Sequence, residues 1–342
     1  MTGDMLKRLA ARPQAPLGQD RATPLDRAGR LSTDLGIDLW LKRDDLAGLG
    51  MGGNKVRQLA FYLGAARAEA ADSILITGAV QSNFARTAAA AGARLGMSVY
   101  LQLEDRVPSD DPLYRTGGNV FLDGLFGAET RSYPHGEDEA GADRALVAWA
   151  DELRAAGRRP YVIPLGPGHP PLGALGYCQA AAEVLAQDSG HMVHVIASGS
   201  GASHAGLLFG LRALGRQDPV LGICVRRSAG AQIPRLFDRC REIGELLGMQ
   251  NPVHEDDIAV FDDSLAPGYG RLSFAVAEAI MTMASREGVA LDPVYTGKVF
   301  AGLMALRRRH ILPDGERMCF WHTGGVPALF AYQNLWREFL SK

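Results

Sequence analysis

The sequence predicts an α/β protein with a mainly parallel sheet. Short runs rich in apolar and β-branched residues alternate along the chain with longer, alanine-rich segments of helical character. The length of 342 residues suggests about two domains, and 47% hydrophobic with 22% charged residues is an ordinary globular composition. The formal charge of -2 gives no reason to expect a nucleic acid or a membrane surface as partner. We therefore expect a small-molecule ligand.

The predicted elements follow one another in a regular order. Strands are expected at 39–41, 73–77, 99–103, 161–163, 192–196, 220–225 and 318–321. Helices are expected at 56–68, 85–95, 140–156 and 207–214. Prolines and glycines concentrate at 164–171 and mark a crossover. We predict a larger, discontinuous domain from residues 1–53 and 166–342, and a smaller domain from residues 54–165.

Cysteine usage and the N-terminus indicate where the protein resides. The cysteines are far apart and show no C-x-x-C spacing, which argues against a metal cluster or a redox pair; they are Cys178, Cys224, Cys240 and Cys319. The first residues lack an apolar run before a small-residue cleavage site. We expect a cytoplasmic protein without a metal. Two acidic stretches, 105–111 and 136–140, are expected to be solvated surface.

Lys55 is the first candidate catalytic residue. It follows Gly52 and Gly53 and opens a predicted helix. A lysine amine becomes a nucleophile when burial or a nearby cation lowers its pKa, and glycines allow the backbone to approach a ligand closely. A lysine near a helix start is otherwise a solvated charge. The surrounding motifs decide between these interpretations.

Two further loops resemble anion sites. The loop at 197–206 joins an apolar strand to a helix, and its free N–H groups, serines and glycines suit a phosphate; the residues proposed to bind it are Gly199, Ser200, Gly201, Ala202 and Ser203. A dinucleotide fingerprint does not fit, because its third glycine falls at His204. Ser82 and Asn83 stand at a second helix start, where they either cap the helix or bind an anion. A cofactor phosphate and a substrate carboxylate are the pair that a pyridoxal-phosphate enzyme requires.

Three later turns carry hydroxyl groups. Tyr269 and Tyr295 lie beside glycines or in tight turns, where a phenol can donate a proton to a leaving group, although most tyrosines only pack their rings. Thr323 follows a strand and is placed to hydrogen-bond a ring nitrogen. A hydroxyl there leaves a pyridine nitrogen weakly charged, which favours elimination over transamination.

The ordered motifs resemble the D-cysteine desulfhydrase and 1-aminocyclopropane-1-carboxylate deaminase family of fold-type II pyridoxal-phosphate enzymes. The resemblance is carried, in the family's order, by 41–45, 53–55, 81–83, 172–177, 199–206, 292–298 and 322–325. It implies two open, twisted, mainly parallel sheets flanked by helices, and a homodimer. It also implies that Lys55 carries pyridoxal phosphate and moves the α-proton, while the loop at 199–203 binds the phosphate.

The resemblance also implies roles for the other site residues. Asn83 contacts the phenolic oxygen of the cofactor, and Ser82 with nearby helix N–H groups holds the substrate carboxylate in the smaller domain. Tyr269 and Tyr295 flank the reacting carbons. The ring-opening deaminases carry a glutamate at the position of Thr296 and a leucine at that of Thr323. This chain therefore resembles the desulfhydrase branch.

The resemblance leaves several activities open. Phe84 stands where desulfhydrase-like members have a histidine, and 166–171 departs from the family's shorter loop, so the substrate-binding wall is expected to differ. We predict α,β-elimination on a small β-substituted amino acid, giving pyruvate, ammonia and the leaving group. The alternatives are an L-cysteate sulfo-lyase, a 1-aminocyclopropane-1-carboxylate deaminase, an amino-acid racemase of the same fold and, outside the enzymes, a phosphate-ligand-binding module.

Overall fold

The computed structural model describes residues 2–164, 166 and 169–340. Leu165, Pro167 and Gly168, which belong to the predicted crossover at 164–171, lie outside this description. In chain order the elements are α1 (Thr2–Ala10), β1 (Leu25–Arg27), α2 (Gly29–Leu35), β2 (Asp38–Lys42), α3 (Lys55–Ala68), β3 (Ser73–Ala79), α4 (Asn83–Leu95), β4 (Ser98–Glu104), α5 (Pro112–Thr116), α6 (Gly118–Leu125), β5 (Glu129–Tyr133), α7 (Glu139–Ala155), β6 (Pro160–Ile163), α8 (Leu175–Gln187), β7 (Val193–Ser198), α9 (Ala202–Ala213), β8 (Val220–Cys224), α10 (Ala229–Leu247), β9 (Ala259–Phe261), α11 (Phe274–Glu287), α12 (Thr296–Arg308), β10 (Arg317–Trp321), α13 (Val326–Ala331) and α14 (Gln333–Leu340).

The described strands form two sheets. One has six strands in the order β1-β2-β10-β7-β8-β9, and the other has four in the order β5-β4-β3-β6. Every neighbouring pair is parallel except β1 with β2. Alanine-rich and apolar helices cover the sheets, because parallel strands need helical crossovers and bury both faces. The predicted α/β architecture with two mainly parallel sheets is confirmed.

The sheets take their strands from different parts of the chain. The larger sheet uses residues 25–42 and 193–321, and the smaller one uses residues 73–163. This distribution is compatible with the predicted domains, whose boundaries stay a prediction. None of the described helices is both long and apolar enough to cross a membrane.

The start of α4 shows how sequence sets an element in place. β3 is buried along its whole length, and the chain turns from it into α4 through residues 80–82. The Ser82 side chain caps α4 by accepting from the N–H groups of Phe84 and Ala85. The helix ends at Gly96, whose φ of 70° is a left-handed conformation that glycine adopts without strain. The residues at the start of α4 are thereby fixed above the end of β3.

Candidate active site

The site residues predicted from the sequence line one cavity at the carboxyl ends of strands from both sheets. Loops after β3, β4, β7 and β10 form much of its wall, which is where parallel sheets present their functional groups. The predicted residues that line it are Lys55, Ser82, Asn83, Phe84, Gly199, Ser200, Gly201, Ala202, Ser203, Tyr269, Tyr295 and Thr323. The structure thus brings all of them together, and their individual roles stay predictions.

Lys55 begins α3 and projects an amine into the cavity wall. Its Nζ donates to Oε1 of Gln58 at 3.2 Å and lies 5.1 Å from the centre of the Phe84 ring. Burial disfavours the charged ammonium and lowers the pKa of Lys55 to about 8. A measurable fraction of the amine is therefore uncharged near neutral pH, which is the form that attacks a carbonyl carbon.

The glycines before Lys55 lie against the backbone of two other loops. A Cβ on Gly52 would lie 1.9 Å from the carbonyl oxygen of Asp45, and a Cβ on Gly53 would lie 3.0 Å from that of Thr323. Both glycines have positive φ, 71° and 110°. They allow the chain to approach protein backbone closely. The N–H of Asn54 donates to the Thr323 carbonyl at 3.0 Å, so the Lys55 and Thr323 loops are held together.

The loop after β7 leaves a helix start open to an anion. The first N–H groups of any helix have no partner within the helix. Gly201, at the N-cap of α9 with φ 92°, has no side chain to accept from them. Asn54 Nδ2 and Gln58 Nε2 donate to Ser203 Oγ at 2.9 and 2.8 Å and fix this serine in the wall. The helix dipole adds a positive potential at the same point. This arrangement suits a phosphate group.

The start of α4 is arranged differently. The Ser82 Oγ already accepts two N–H groups, at 3.2 and 3.1 Å, so the capping interpretation of this serine is confirmed while the residue still faces the cavity. Asn119 Nδ2 donates to Asn83 Oδ1 at 3.0 Å. Because the Asn83 oxygen is occupied in this way, its amide nitrogen is the atom available as a donor.

Tyr269 and Tyr295 form a pair at the cavity wall. Their hydroxyl oxygens are 2.7 Å apart, and their rings meet edge to face at 5.9 Å. Asp292 accepts from the N–H groups of Val294, Tyr295 and Thr296, so the backbone of Tyr295 is fixed. Burial, and then the neighbouring phenol, raise the pKa of Tyr295 well above its usual value. Tyr295 therefore keeps its proton at neutral pH.

Several residues of the wall were not predicted from the sequence. Gln58 accepts from Lys55 and donates to Ser203, and its only sequence signal was its place one helical turn after Lys55. Glu104, at the end of β4, accepts from Thr77 and Arg106. Residues that complete this ionic part of the wall include Glu139, Asp143, His169, Arg226, Arg235 and Arg239.

The expectation that 136–140 is only solvated surface was wrong for Glu139. Its side chain is partly buried, lines the cavity and forms ion pairs with Arg226 at 2.7 Å and with Arg227. These arginines follow β8, which is distant in sequence from α7. The sequence shows a run of charges but not the partners that fold against it.

The donor groups of the cavity fit pyridoxal phosphate. An amine with lowered pKa faces the cavity for the aldehyde, and the uncapped start of α9 faces it for the phosphate. The amide nitrogen of Asn83 is available for a phenolic oxygen, and the hydroxyl-bearing Thr323 lies in the same wall. Each functional group of the cofactor has a chemically matching group in one cavity.

Comparisons with known proteins agree with this fit. The family model for pyridoxal-phosphate dependent enzymes matches residues 17–324. D-cysteine desulfhydrases of Yersinia enterocolitica and Salmonella choleraesuis are each 41% identical, over 91% of this chain and 93% of theirs.

Solved structures show the same relationship. The crystal structure of a homologue of 1-aminocyclopropane-1-carboxylate deaminase has a TM-score of 0.88 and 36% identity, and covers 99% of both chains. A threonine deaminase of Solanum lycopersicum, at 16% identity and a TM-score of 0.65 over 95% of this chain and 89% of its own, shares the fold. The resemblance and the cofactor predicted from the motifs are confirmed, and this chain belongs to the family of pyridoxal-phosphate-dependent enzymes.

Proposed function

We propose that this protein is a pyridoxal-phosphate-dependent lyase, similar to D-cysteine desulfhydrase, that catalyses α,β-elimination on a small β-substituted amino acid. The observation that carries the proposal is that the Lys55 amine and the Tyr269–Tyr295 pair line the same cavity as two helix starts. An elimination needs a base at the α-carbon and a proton donor near the leaving group. Relatives that are 41% identical over most of the chain and are named D-cysteine desulfhydrases support the same reaction.

Lys55 would hold the cofactor through its amine, and once the amine of the substrate has displaced it, the freed Lys55 amine would act as the base at the α-carbon. Bound pyridoxal phosphate supplies an electron sink that stabilises negative charge at the α-carbon. The lowered pKa of Lys55, about 8, supports this role, because an ordinary lysine remains protonated and cannot accept the α-proton. Gln58 orients the amine through the 3.2 Å hydrogen bond.

The two helix starts hold the two anions. Gly199, Ser200, Gly201, Ala202 and Ser203 bind the cofactor phosphate, which is supported by the uncapped start of α9. On the other side, Ser82, whose oxygen caps α4 but whose hydroxyl proton can still be donated, would bind the substrate carboxylate together with the nearby N–H groups. Asn83 would donate its amide N–H to the phenolic oxygen of the cofactor, and Thr323 would hydrogen-bond its pyridine nitrogen.

The tyrosine pair handles the leaving group. Tyr295, which is protonated at neutral pH as an ordinary phenol is, shares a hydrogen bond with Tyr269 and is placed to provide a proton as the bond from the β-carbon to its substituent breaks. The electron pair of that bond leaves with the substituent. Water then converts the remaining three-carbon fragment to pyruvate and ammonia.

Phe84 and Thr296 bear on the choice among the alternative activities. Thr296 donates its hydroxyl to Asp292 at 2.6 Å, so this position brings no carboxylate into the cavity, unlike in the ring-opening deaminases. The buried Phe84 gives the wall beside Lys55 an apolar surface. The threonine at position 296 favours β-elimination over ring opening, whereas Phe84 bears on which leaving group the wall accepts. An L-cysteate sulfo-lyase differs from a D-cysteine desulfhydrase in the leaving group. A racemase differs in the fate of the α-carbon, which regains a proton.

We also propose that the protein is a cytoplasmic homodimer. Phe121 and Leu125 on α6 and Phe330 on α13 are exposed large apolar residues on two helices that pack against each other. A second copy that covers such a surface would remove it from water. The cysteines are free and buried, as in proteins of a reducing compartment.

A product assay tests the proposed reaction. The purified protein is supplied with D-cysteine, L-cysteine, L-cysteate and 1-aminocyclopropane-1-carboxylate, and pyruvate, 2-oxobutanoate, sulfide and sulfite are measured. We expect pyruvate and sulfide from D-cysteine, and a loss on the order of a thousandfold or more in Lys55→Ala. A Lys55→Ala variant with the parental rate, or 2-oxobutanoate as the main product, would contradict the proposal.

The same assay on Phe84→His tests the substrate wall. A histidine at this position adds one polar contact beside Lys55. We expect the kcat/KM for D-cysteine to rise about tenfold relative to that for β-chloroalanine, which is the effect of one good hydrogen bond. An unchanged ratio would show that Phe84 does not contact the leaving group.

A further inference from the structure

Lys298 is a buried lysine that does not face the cavity. It lies in the first turn of α12, three residues after Tyr295, and is 0% exposed. Its Nζ donates to the carbonyl oxygen of Leu265 at 2.8 Å and to that of Gly268. Within the described residues, no carboxylate forms an ion pair with it, and burial lowers its pKa to about 8.

A buried ammonium without a carboxylate is unfavourable unless its hydrogen bonds replace those of water. A methionine would fill a similar volume without this desolvation cost, so the feature that distinguishes Lys298 is its pair of bonds to the loop at 265–268. Lys298 is not one of the described residues that line the cavity. Lys298 therefore reaches the site through that loop and through the start of α12, which follows Tyr295.

The loop that Lys298 holds carries Tyr269. The carbonyl before Tyr269, that of Gly268, accepts from Lys298, and the carbonyl after it, that of Gly270, accepts from the Tyr332 hydroxyl at 2.6 Å. The backbone on both sides of Tyr269 is thus anchored. Since Lys298 belongs to the helix that begins directly after Tyr295, its bonds tie the loop of one tyrosine to the helix of the other.

We propose that Lys298 is a positioning residue that holds the Tyr269 hydroxyl against the Tyr295 hydroxyl through the carbonyls of Leu265 and Gly268. The pair is 2.7 Å apart and is fixed from the other side by Asp292, which accepts the N–H of Tyr295. Without Lys298, the Tyr295 side of the pair stays fixed while the Tyr269 side loses one of its two anchors. The role of the pair in catalysis rests on the proposed function, but its geometry does not.

A double-mutant cycle tests this role. Lys298→Met, Tyr269→Phe and the double variant are compared with the parent, and Arg308→Met, which removes an exposed cation from the same helix, is the control. We expect Lys298→Met to lower kcat on the order of tenfold to a hundredfold, with the KM within threefold and the cofactor absorption unchanged. In the Tyr269→Phe background the same substitution should lower kcat less than twofold. Equal losses in both backgrounds, or no loss in the parent background, would overturn the proposal.

Crystal structures of the parent and of Lys298→Met give a second reading that does not depend on any substrate. We expect the hydrogen bond between the Tyr269 and Tyr295 hydroxyls in the parent and its loss in the variant. An unchanged pair would refute the positioning role. If the parent releases no pyruvate from any amino acid, the proposed function fails while this comparison still decides the inference. Lys298→Leu, which also removes the donor, replaces Lys298→Met if the latter does not fold.

Discussion

At the scale of single residues, Lys55 combines a dehydrated amine with a neutral hydrogen-bond partner. Its Nζ contacts the Gln58 amide oxygen and the face of the Phe84 ring, and its pKa falls to about 8 through burial. A carboxylate in the place of Gln58 would favour the charged form and raise the pKa. Gln58 thus orients the Lys55 amine without raising its pKa.

The lowered pKa of Lys55 predicts how fast the cofactor-free protein captures pyridoxal phosphate. Only the uncharged amine adds to an aldehyde, so the rate should rise as the pH increases from 6 to about 8 and then level off. An ordinary lysine would continue to gain reactivity up to about pH 10.4. Stopped-flow absorbance measures this rate, and a lysine derivative free in solution corrects for the titration of the cofactor. A rate that still climbs between pH 9 and 10 would contradict the lowered pKa.

Residue chemistry explains which parts of the site could be predicted. Lys55, Ser82 and the loop at 199–203 stand directly after strands or at helix starts, where local sequence shows their function. Glu104 and Lys298 could not be found in this way, because Glu104 accepts from Thr77 on β3 and Lys298 donates to Leu265 in the loop after β9. The importance of such residues depends on tertiary contacts that no local pattern records.

At the scale of secondary structure elements, a buried ionic network fixes α3, which carries Lys55. Arg57 on α3 pairs with Asp44 after β2 at 2.8 Å and with Glu183 on α8 at 2.7 Å. Lys42 at the end of β2 also pairs with Glu183. Thr23 donates to Asp44 at 2.9 Å. The network ties a strand and two helices together next to the first turn of α3.

Glu183→Gln should destabilise the protein by about 3 kcal/mol at neutral pH, because it leaves Arg57 and Lys42 with one buried negative partner fewer. Urea unfolding measures the change. Glu245→Gln, on an exposed i, i+4 pair, is the matched control and should change stability by less than about 0.5 kcal/mol. A loss in Glu183→Gln no larger than that of the control would contradict a stabilising role of the network.

The difference in the free energy of unfolding between the parent and Glu183→Gln should depend on pH in one direction. Burial alone would raise the pKa of Glu183, but the hydrogen bonds and charges of Arg57 and Lys42 outweigh it and lower the pKa to about 2. The stabilisation is therefore complete above the unfolded-state pKa, near 4.5, and is lost as the pH falls towards 2. The parent and Glu183→Gln should converge in stability over that range. A difference that stays constant down to pH 2 would show that charge is not the cause.

The strands show where sequence patterns fail. Every strand predicted from an apolar run is present, whereas β1, β5 and β9 were not predicted. All three lie at sheet edges, and most of their residues are exposed or partly exposed. These three strands bury little apolar surface and so lack the hydrophobic pattern that identifies a strand, whereas the fourth edge strand, β6, contains the apolar run at 161–163 and was predicted.

At the scale of the whole molecule, the cavity lies where the carboxyl ends of strands from two parallel sheets meet. The order of the motifs along the chain carries most of the information on function, because the motifs at 81–83, 199–206 and 322–325 follow β3, β7 and β10, which end at this cavity. The loop of Gly53 packs on the loop of Gly324, where a Cβ on Gly324 would lie 2.6 Å from the Cα of Gly53. This contact joins residues near the two ends of the chain and brings Lys55 beside Thr323.

The most direct test of the central claim is to locate the bond between the protein and its cofactor. The purified, yellow protein is reduced with borohydride, digested, and analysed by peptide mass spectrometry, with Lys55→Ala as the control. We predict a reduced pyridoxyl group on Lys55 in the parent and no labelled lysine in the variant. A label on another lysine, such as Lys298, with Lys55 unmodified, would contradict the assignment of Lys55 as the cofactor-binding residue.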